Sequence, residues 1–147
     1  MKPTVPLREE HRRLREQLAR VEAALRTPAD VRTDLPGRFG ALLQKFEAHA
    51  VHEAQLLASF QHVIHGLLHH RVGDHPDQRV VLRDLQVLRT SAGKTPDGPA
   101  AARLKFLCWE LRECLEWEER EVFPLVDRLA GECAEALVSA SVVSDDH

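Results

Sequence analysis

Apolar residues recur at alternating steps of three and four positions in four separate segments, and this periodicity constrains the fold more than any other feature. In the first segment charged residues fill the gaps between Leu7, Leu14, Leu18, Val21 and Leu25. Because an α-helix completes a turn every 3.6 residues, such spacing forms one apolar stripe along a helix. The first segment is therefore predicted to be an amphipathic helix.

Three further segments repeat this rhythm. The second runs from Phe39 to Phe60, with a continuation to His70 left open; the third covers residues 81–88, and the fourth covers residues 104–129. Stretches containing proline or glycine separate them, at 28–37, 73–76 and 95–99. Pro124 lies inside the fourth segment, where it predicts a kink or a restarted helix.

The pattern favours one all-α domain. No segment alternates with a period of two over a useful length, so no strand is predicted. Short connections favour antiparallel neighbours, which indicates an up-down-up-down four-helix bundle over residues 1–138. Residues 139–147 are expected to form a flexible tail.

Charge and composition exclude several classes of protein. The 147 residues carry a net charge of −3 with both signs interspersed, so no nucleic-acid footprint is present. No apolar run reaches the roughly 18 residues of a membrane span, and the first residues do not resemble a signal peptide. The odd set Cys108, Cys114 and Cys133 lies within one helical pattern, which favours packing thiols and a reducing cytoplasm.

Polar residues occupy apolar positions in three of the stripes. They are His11 in the first, His49 and Glu53 in the second, and Cys114 and Glu118 in the fourth. A buried carboxylate or histidine without a partner costs several kcal/mol. Since no lysine or arginine occupies the stripes, a metal cation is the simplest source of compensating charge.

These five side chains are predicted to lie at one level of the bundle. At a rise of about 1.5 Å per residue, each is roughly 18 to 28 Å from the turn at the same end of the bundle. We therefore expect a metal site between the helices.

The two halves of the chain also resemble each other. Phe46-x-x-His49-x-x-x-Glu53 is similar to Leu111-x-x-Cys114-x-x-x-Glu118, and 38 residues separate His11 from His49 where 36 separate Gln78 from Cys114. Such a repeat indicates two related helix pairs around a central site. In the second pair, Gln78 and Cys114 stand where the first pair has histidines.

Three motifs together resemble the hemerythrin-like family, the HHE cation-binding domain. They are Glu-His-x-x-Leu at 10–14, His-x-x-x-Glu at 49–53, and Glu-Glu-x-x-Val-Phe-Pro at 118–124. The last is similar to the family's His-x-x-x-Glu-Glu-x-x-Leu-Phe-Pro signature, with Cys114 in the histidine position. The resemblance extends from Leu7 to about Leu129.

The resemblance implies a non-haem di-iron centre in a four-helix bundle. His11 and His49 match ligands of the first iron, and two carboxylates, matched by Glu53 and Glu118, would bridge the irons. Gln78 and Cys114 occupy the positions at which the second iron's histidines are expected. The cofactor expected is thus one or two iron ions, with His75 and His52 as candidates to rebuild the second position.

The chemistry of the donors leaves other metals open. Two histidines with two carboxylates suit a single iron, zinc or manganese ion. A thiolate at Cys114 would favour zinc.

Simpler interpretations exist for most of these residues. His11 can bond to Glu53 without a metal, and Cys114 can be a small core residue. Glu119 and Glu121 are expected to be solvated. The stripe of His62, His65 and His69 is expected to be a solvated face or an interface.

The leading functional hypothesis is a metal-binding protein that senses, stores or carries oxygen or a related small oxidant. The alternative is a metal-free bundle that acts as a structural or protein-interaction module, including a homodimer. A redox switch at Cys114 is a third hypothesis. Catalytic turnover is not indicated, because no nucleophile stands beside a base in these motifs.

Overall fold

The computed structural model describes residues 2–27, 35–60, 77–91 and 98–133, and in these ranges it contains helices and no strand. Helix α1 spans Val5–Arg26, α2 spans Leu35–Leu57, α3 spans Gln78–Ser91 and α4 spans Gly98–Trp117. Helix α1 packs against α2 and α4, and α3 packs against the same two. This arrangement confirms the all-α prediction. None of the described helices is long and apolar enough to cross a membrane.

The second helix is shorter than the longest extent that the sequence allowed. Helix α2 ends at Leu57, and a turn continues to Phe60. The proposed continuation to His70 lies outside the described residues. So do His75, the histidine stripe at 62–69 and the tail at 139–147.

The core consists of two hydrophobic clusters. Phe46, Leu85, Leu111 and Leu115 belong to the larger one, which the four helices share. The smaller cluster lies toward the start of α1 and contains Leu7, Leu57, Val122, Phe123 and Val126.

A polar layer separates the two clusters. In sequence His11 lies between Leu7 of the smaller cluster and Leu14 of the larger one, and Glu118 lies between Leu115 and Val122 in the same way. Each helix that supplies a polar residue thus continues its apolar stripe on both sides of it.

The last helical segment changes its hydrogen bonding beside Glu118. The residues Glu118–Val122 form a π-helix, in which the N–H of Phe123 bonds to the carbonyl of Glu118, and residues 123–133 are again α-helical. Pro124 follows directly, and its missing N–H cannot continue an α-helical ladder. The predicted interruption is therefore present, as a π turn that precedes the proline. Such turns occur often at functional sites.

The start of α1 is joined by partly buried hydrogen bonds to the helix that follows the π segment. The Thr4 hydroxyl lies 2.7 and 2.9 Å from the two carboxylate oxygens of Asp127, to which it donates, and the Thr4 N–H donates to the same group at 3.3 Å. Arg8 lies 3.7 Å from this carboxylate and 5.3 Å above the ring of Phe123. These contacts close the smaller cluster at its outer end.

We expect Asp127→Ala to lower the free energy of unfolding by about 1.5–3 kcal/mol, because the buried Thr4 hydroxyl and N–H lose their charged acceptor. Urea denaturation followed by circular dichroism measures this change. The control is Asp84→Ala, which removes an exposed ion pair with Arg103 and should cost less than about 1 kcal/mol. Equal losses in the two variants would contradict a structural role for the Thr4–Asp127 contact.

Candidate metal centre

Two histidines from neighbouring helices face each other inside the polar layer. His11 of α1 and His49 of α2 are 0% and 1% exposed, and their Nε2 atoms are 3.1 Å apart. The ring of Phe123 lies 4.9 Å from that of His11, which limits its position from the side of the smaller cluster. Both rings thus present Nε2 to one point between the helices.

Two carboxylates complete the group. Glu53 lies one helical turn beyond His49, and its Oε2 is 2.9 Å from His49 Nε2. Glu118 begins the π segment, and its Oε2 is 3.7 Å from His11 Nε2. One donor atom from each of the four residues lies within 4.8 Å of every other. The structure therefore brings together four of the five predicted site residues.

Burial shifts the pKa values of this group. Loss of hydration lowers the pKa of His11 to about 4, and the neighbouring His49 acts in the same direction. Burial also raises the pKa of Glu118 well above its usual value, and contact with the Glu53 carboxyl adds to this effect. Burial acts to raise the pKa of Glu53, but Glu118 and His49 outweigh it and the pKa ends lower. The folded chain alone thus favours a neutral His11 and a protonated Glu118.

The donor set fits a single metal ion. The Oε2 atoms of Glu53 and Glu118 are buried, and neither has a hydrogen bond of good geometry among the described residues, although Glu53 Oε2 lies close to His49 Nε2. Two nitrogens that share an ion at about 2.1 Å lie roughly 3.0 to 3.4 Å apart, depending on octahedral or tetrahedral geometry. The 3.1 Å between the histidine nitrogens agrees with this range. A divalent ion here would satisfy the free carboxylate oxygens and balance their charge.

Cys114 is placed differently from the other four residues. Its side chain is fully buried, but its sulfur is not part of the converging donor group found in the described residues. Burial raises the pKa of Cys114 to about 12, with Glu118 as the next contribution, so the thiol is protonated at neutral pH. A protonated thiol is a poor ligand and a poor nucleophile. A ligand role for Cys114 stays a prediction that this geometry does not favour.

His52, a candidate for the second metal position, is also outside the cluster. Gln78 is the first residue of α3, and its buried Nε2 has no hydrogen bond in the described part of the chain. His52 is partly exposed and pairs with the carboxylate of Glu10 at 2.8 and 2.9 Å. His52 is therefore engaged at the edge of the site.

Sequence reasoning missed two further carboxylates beside the histidines. Glu10 lies 3.5 Å from Nδ1 of His49, and Glu119 lies 3.5 Å from Nδ1 of His11. The expectation of a solvated Glu119 is wrong, because this side chain is partly buried and accepts hydrogen bonds from Arg15. The sequence did indicate them, because within the motifs Glu10 directly precedes His11 and Glu119 directly follows Glu118.

Comparison with protein families agrees with this arrangement. The hemerythrin HHE cation-binding domain matches residues 3–126, most of the chain. The chain belongs to this family. No significant match is found among curated proteins or solved structures. The chain is thus an HHE domain in which two histidines and two glutamates form a cluster that could hold a cation.

We expect Glu118→Gln to stabilise the metal-free HHE domain by about 1–3 kcal/mol at pH 7, because a neutral amide of similar shape replaces a buried acidic group. The same change should weaken metal binding. Urea denaturation in the presence of a chelator measures the first effect. Glu116→Gln, which changes an exposed carboxylate two residues earlier, should have little effect. A destabilised, metal-free Glu118→Gln protein would contradict the prediction.

Proposed function

We propose that this HHE domain binds one transition-metal ion, with iron as the preferred metal, and that the ion is used to sense, store or carry oxygen or a related small oxidant. The observation that carries the proposal is the convergence of His11, His49, Glu53 and Glu118 on one point in the bundle. Binding, and not catalytic turnover, is the proposed role.

The donor types support iron and do not single it out. Imidazole suits iron and zinc, and carboxylate suits harder ions such as manganese. A set of two histidines and two carboxylates without a thiolate gives no special advantage to zinc. Family membership also favours iron, because the resemblance to the hemerythrin-like family implies a non-haem iron centre.

A single ion is the proposed nuclearity. Only the first pair of histidine positions holds histidine, and these two lie in the donor cluster. At the matching positions of the second pair, Gln78 offers a neutral amide and Cys114 a protonated thiol. Neither group is a good replacement for imidazole.

The surroundings of the polar layer support a small, uncharged ligand. Apolar side chains lie on both sides, with Phe46 and Leu111 in the larger cluster and Leu7 and Phe123 in the smaller one. Charged molecules lose hydration when they enter such a space, whereas diatomic oxidants do not. A bound iron ion would supply the redox-active centre, while the chain holds it and excludes bulk water.

The up-down-up-down topology is part of the proposal. Its support is the order of contacts between helices, since residue numbers rise along one helix as they fall along its neighbour. For the first and last helical segments the contacts are Thr4 with Asp127, Arg15 with Glu119, and Glu22 with Arg112.

Metal content tests the proposal directly. Elemental analysis of protein expressed in medium with added iron and zinc should find about one equivalent of metal per chain, because the four donors form one site. The double variant His49→Ala/Glu53→Ala should retain less than about a tenth of this, since it lacks two of the four ligands. The control Lys45→Ala/Glu47→Ala, on the exposed face of α2, should keep the full amount.

Other outcomes are equally informative. Near two equivalents of metal would contradict a single ion and restore the di-iron expectation. No metal in wild type or control would reject the proposal and favour the structural or interaction role.

The role toward oxidants has its own test. Protein loaded with ferrous iron under nitrogen should change its optical absorption when air or dilute peroxide is admitted, because oxidation of a ferrous ion held by imidazole and carboxylate ligands changes its electronic spectrum. The iron-free protein and the His49→Ala/Glu53→Ala variant are the controls. If neither oxidant changes the spectrum of the iron-loaded protein, the role toward oxidants is rejected and the metal has a structural role.

A further inference from the structure

Each site histidine has a second ring nitrogen that faces away from the donor cluster. Nδ1 of His11 and Nδ1 of His49 are both buried, and neither makes a hydrogen bond among the described residues. The nearest charged oxygen to each is a glutamate at 3.5 Å, Glu119 for His11 and Glu10 for His49. In both histidines, therefore, Nδ1 faces a glutamate at a distance slightly too long for a good hydrogen bond.

The two glutamates are themselves held in place from outside. Arg15 donates two hydrogen bonds to Glu119, one of them at 2.9 Å, and His52 lies 2.8 Å from Glu10. Arg15 and His52 are partly exposed, while the glutamate side chains are 24% and 28% exposed. A chain of contacts thus leads from the surface to each histidine.

We propose that Glu10 and Glu119 are positioning residues that accept the Nδ1 proton of His49 and His11 and so hold Nε2 of each ring toward the metal. The proposal rests on the function proposed above, since it concerns the same site. It assigns a role to two residues that are not themselves ligands.

The physical reason is the choice of tautomer. A neutral imidazole carries its proton on one nitrogen only, and the nitrogen that binds a metal must be free of it. A carboxylate beside Nδ1 keeps the proton there, fixes the ring and increases the basicity of Nε2. A small rotation of the glutamate side chain would shorten the 3.5 Å between its oxygen and Nδ1 to hydrogen-bond distance.

The pairing crosses between helices. Glu10 belongs to α1 but serves His49 of α2, whereas Glu119 of the π segment serves His11 of α1. The glutamate adjacent to His11 in sequence therefore supports the other histidine. Because of this crossing, replacing Glu10 should affect His49, and replacing Glu119 should affect His11.

The test compares Glu10→Gln, Glu119→Gln and the control Glu9→Gln, whose carboxylate is exposed and bound to Arg12. Competition with a chelator measures the affinity for Zn²⁺ and for Fe²⁺. We expect losses of about 10- to 100-fold for Glu10→Gln and Glu119→Gln and no loss for the control. Circular dichroism checks that each variant is folded.

Nuclear magnetic resonance of the zinc-loaded protein provides the second readout. Long-range ¹H–¹⁵N spectra identify which ring nitrogen carries the proton. Glu10→Gln should shift the Nδ1–H signal of His49 and leave that of His11, and Glu119→Gln should do the reverse.

The outcomes separate this inference from the proposed function. Wild-type protein that binds neither ion rejects both. Wild-type binding with variant affinities equal to that of Glu9→Gln overturns the positioning role alone. Equal shifts of both histidine signals in both variants also overturn it, since they indicate a general structural effect.

Discussion

Two carboxyl groups that meet in the interior cannot both be ionised without a positive charge beside them, and the polar layer of the bundle is organised around this constraint. Glu118 is almost fully buried and Glu53 lies beside it, yet no lysine or arginine is among the buried residues in the described ranges. His11, with its pKa lowered to about 4, does not supply a charge at neutral pH. Without a metal, the raised pKa of Glu118 keeps that carboxyl protonated. A bound cation would let both carboxylates ionise, and the two hydrophobic clusters enclose the layer where it would bind.

The first helix has the central position in this arrangement. It contributes His11 as a donor, receives support from Glu119 of the π segment, and gives support to α2 through Glu10. The four donors come from three helical segments, so a bound ion would join these segments as well as neutralise charge. Helix α3 supplies none of these four donors, which makes the site asymmetric among the four helices.

Periodicity predicted the helices and four converging donors, because a polar residue on an apolar stripe must face the interior. It could not predict which glutamate would approach which histidine. That depends on the rotation of each helix about its axis, and a rotation of one residue would exchange the positions of Glu118 and Glu119. The sequence predicted an interruption at Pro124 but not its form, a π turn that begins at Glu118 and changes the rotation of the residues after it.

The charge of the site argues for one ion. Glu53 and Glu118 together carry two negative charges when ionised, which balance one divalent cation. Glu119 is already paired with Arg15, so a second divalent ion would need further anionic ligands close by. Cys114 would have to give up a proton from a thiol whose pKa is raised to about 12. With cysteine in place of the second pair's histidine, the position is filled by a neutral packing side chain, which is the arrangement expected if the two carboxylates serve a single ion.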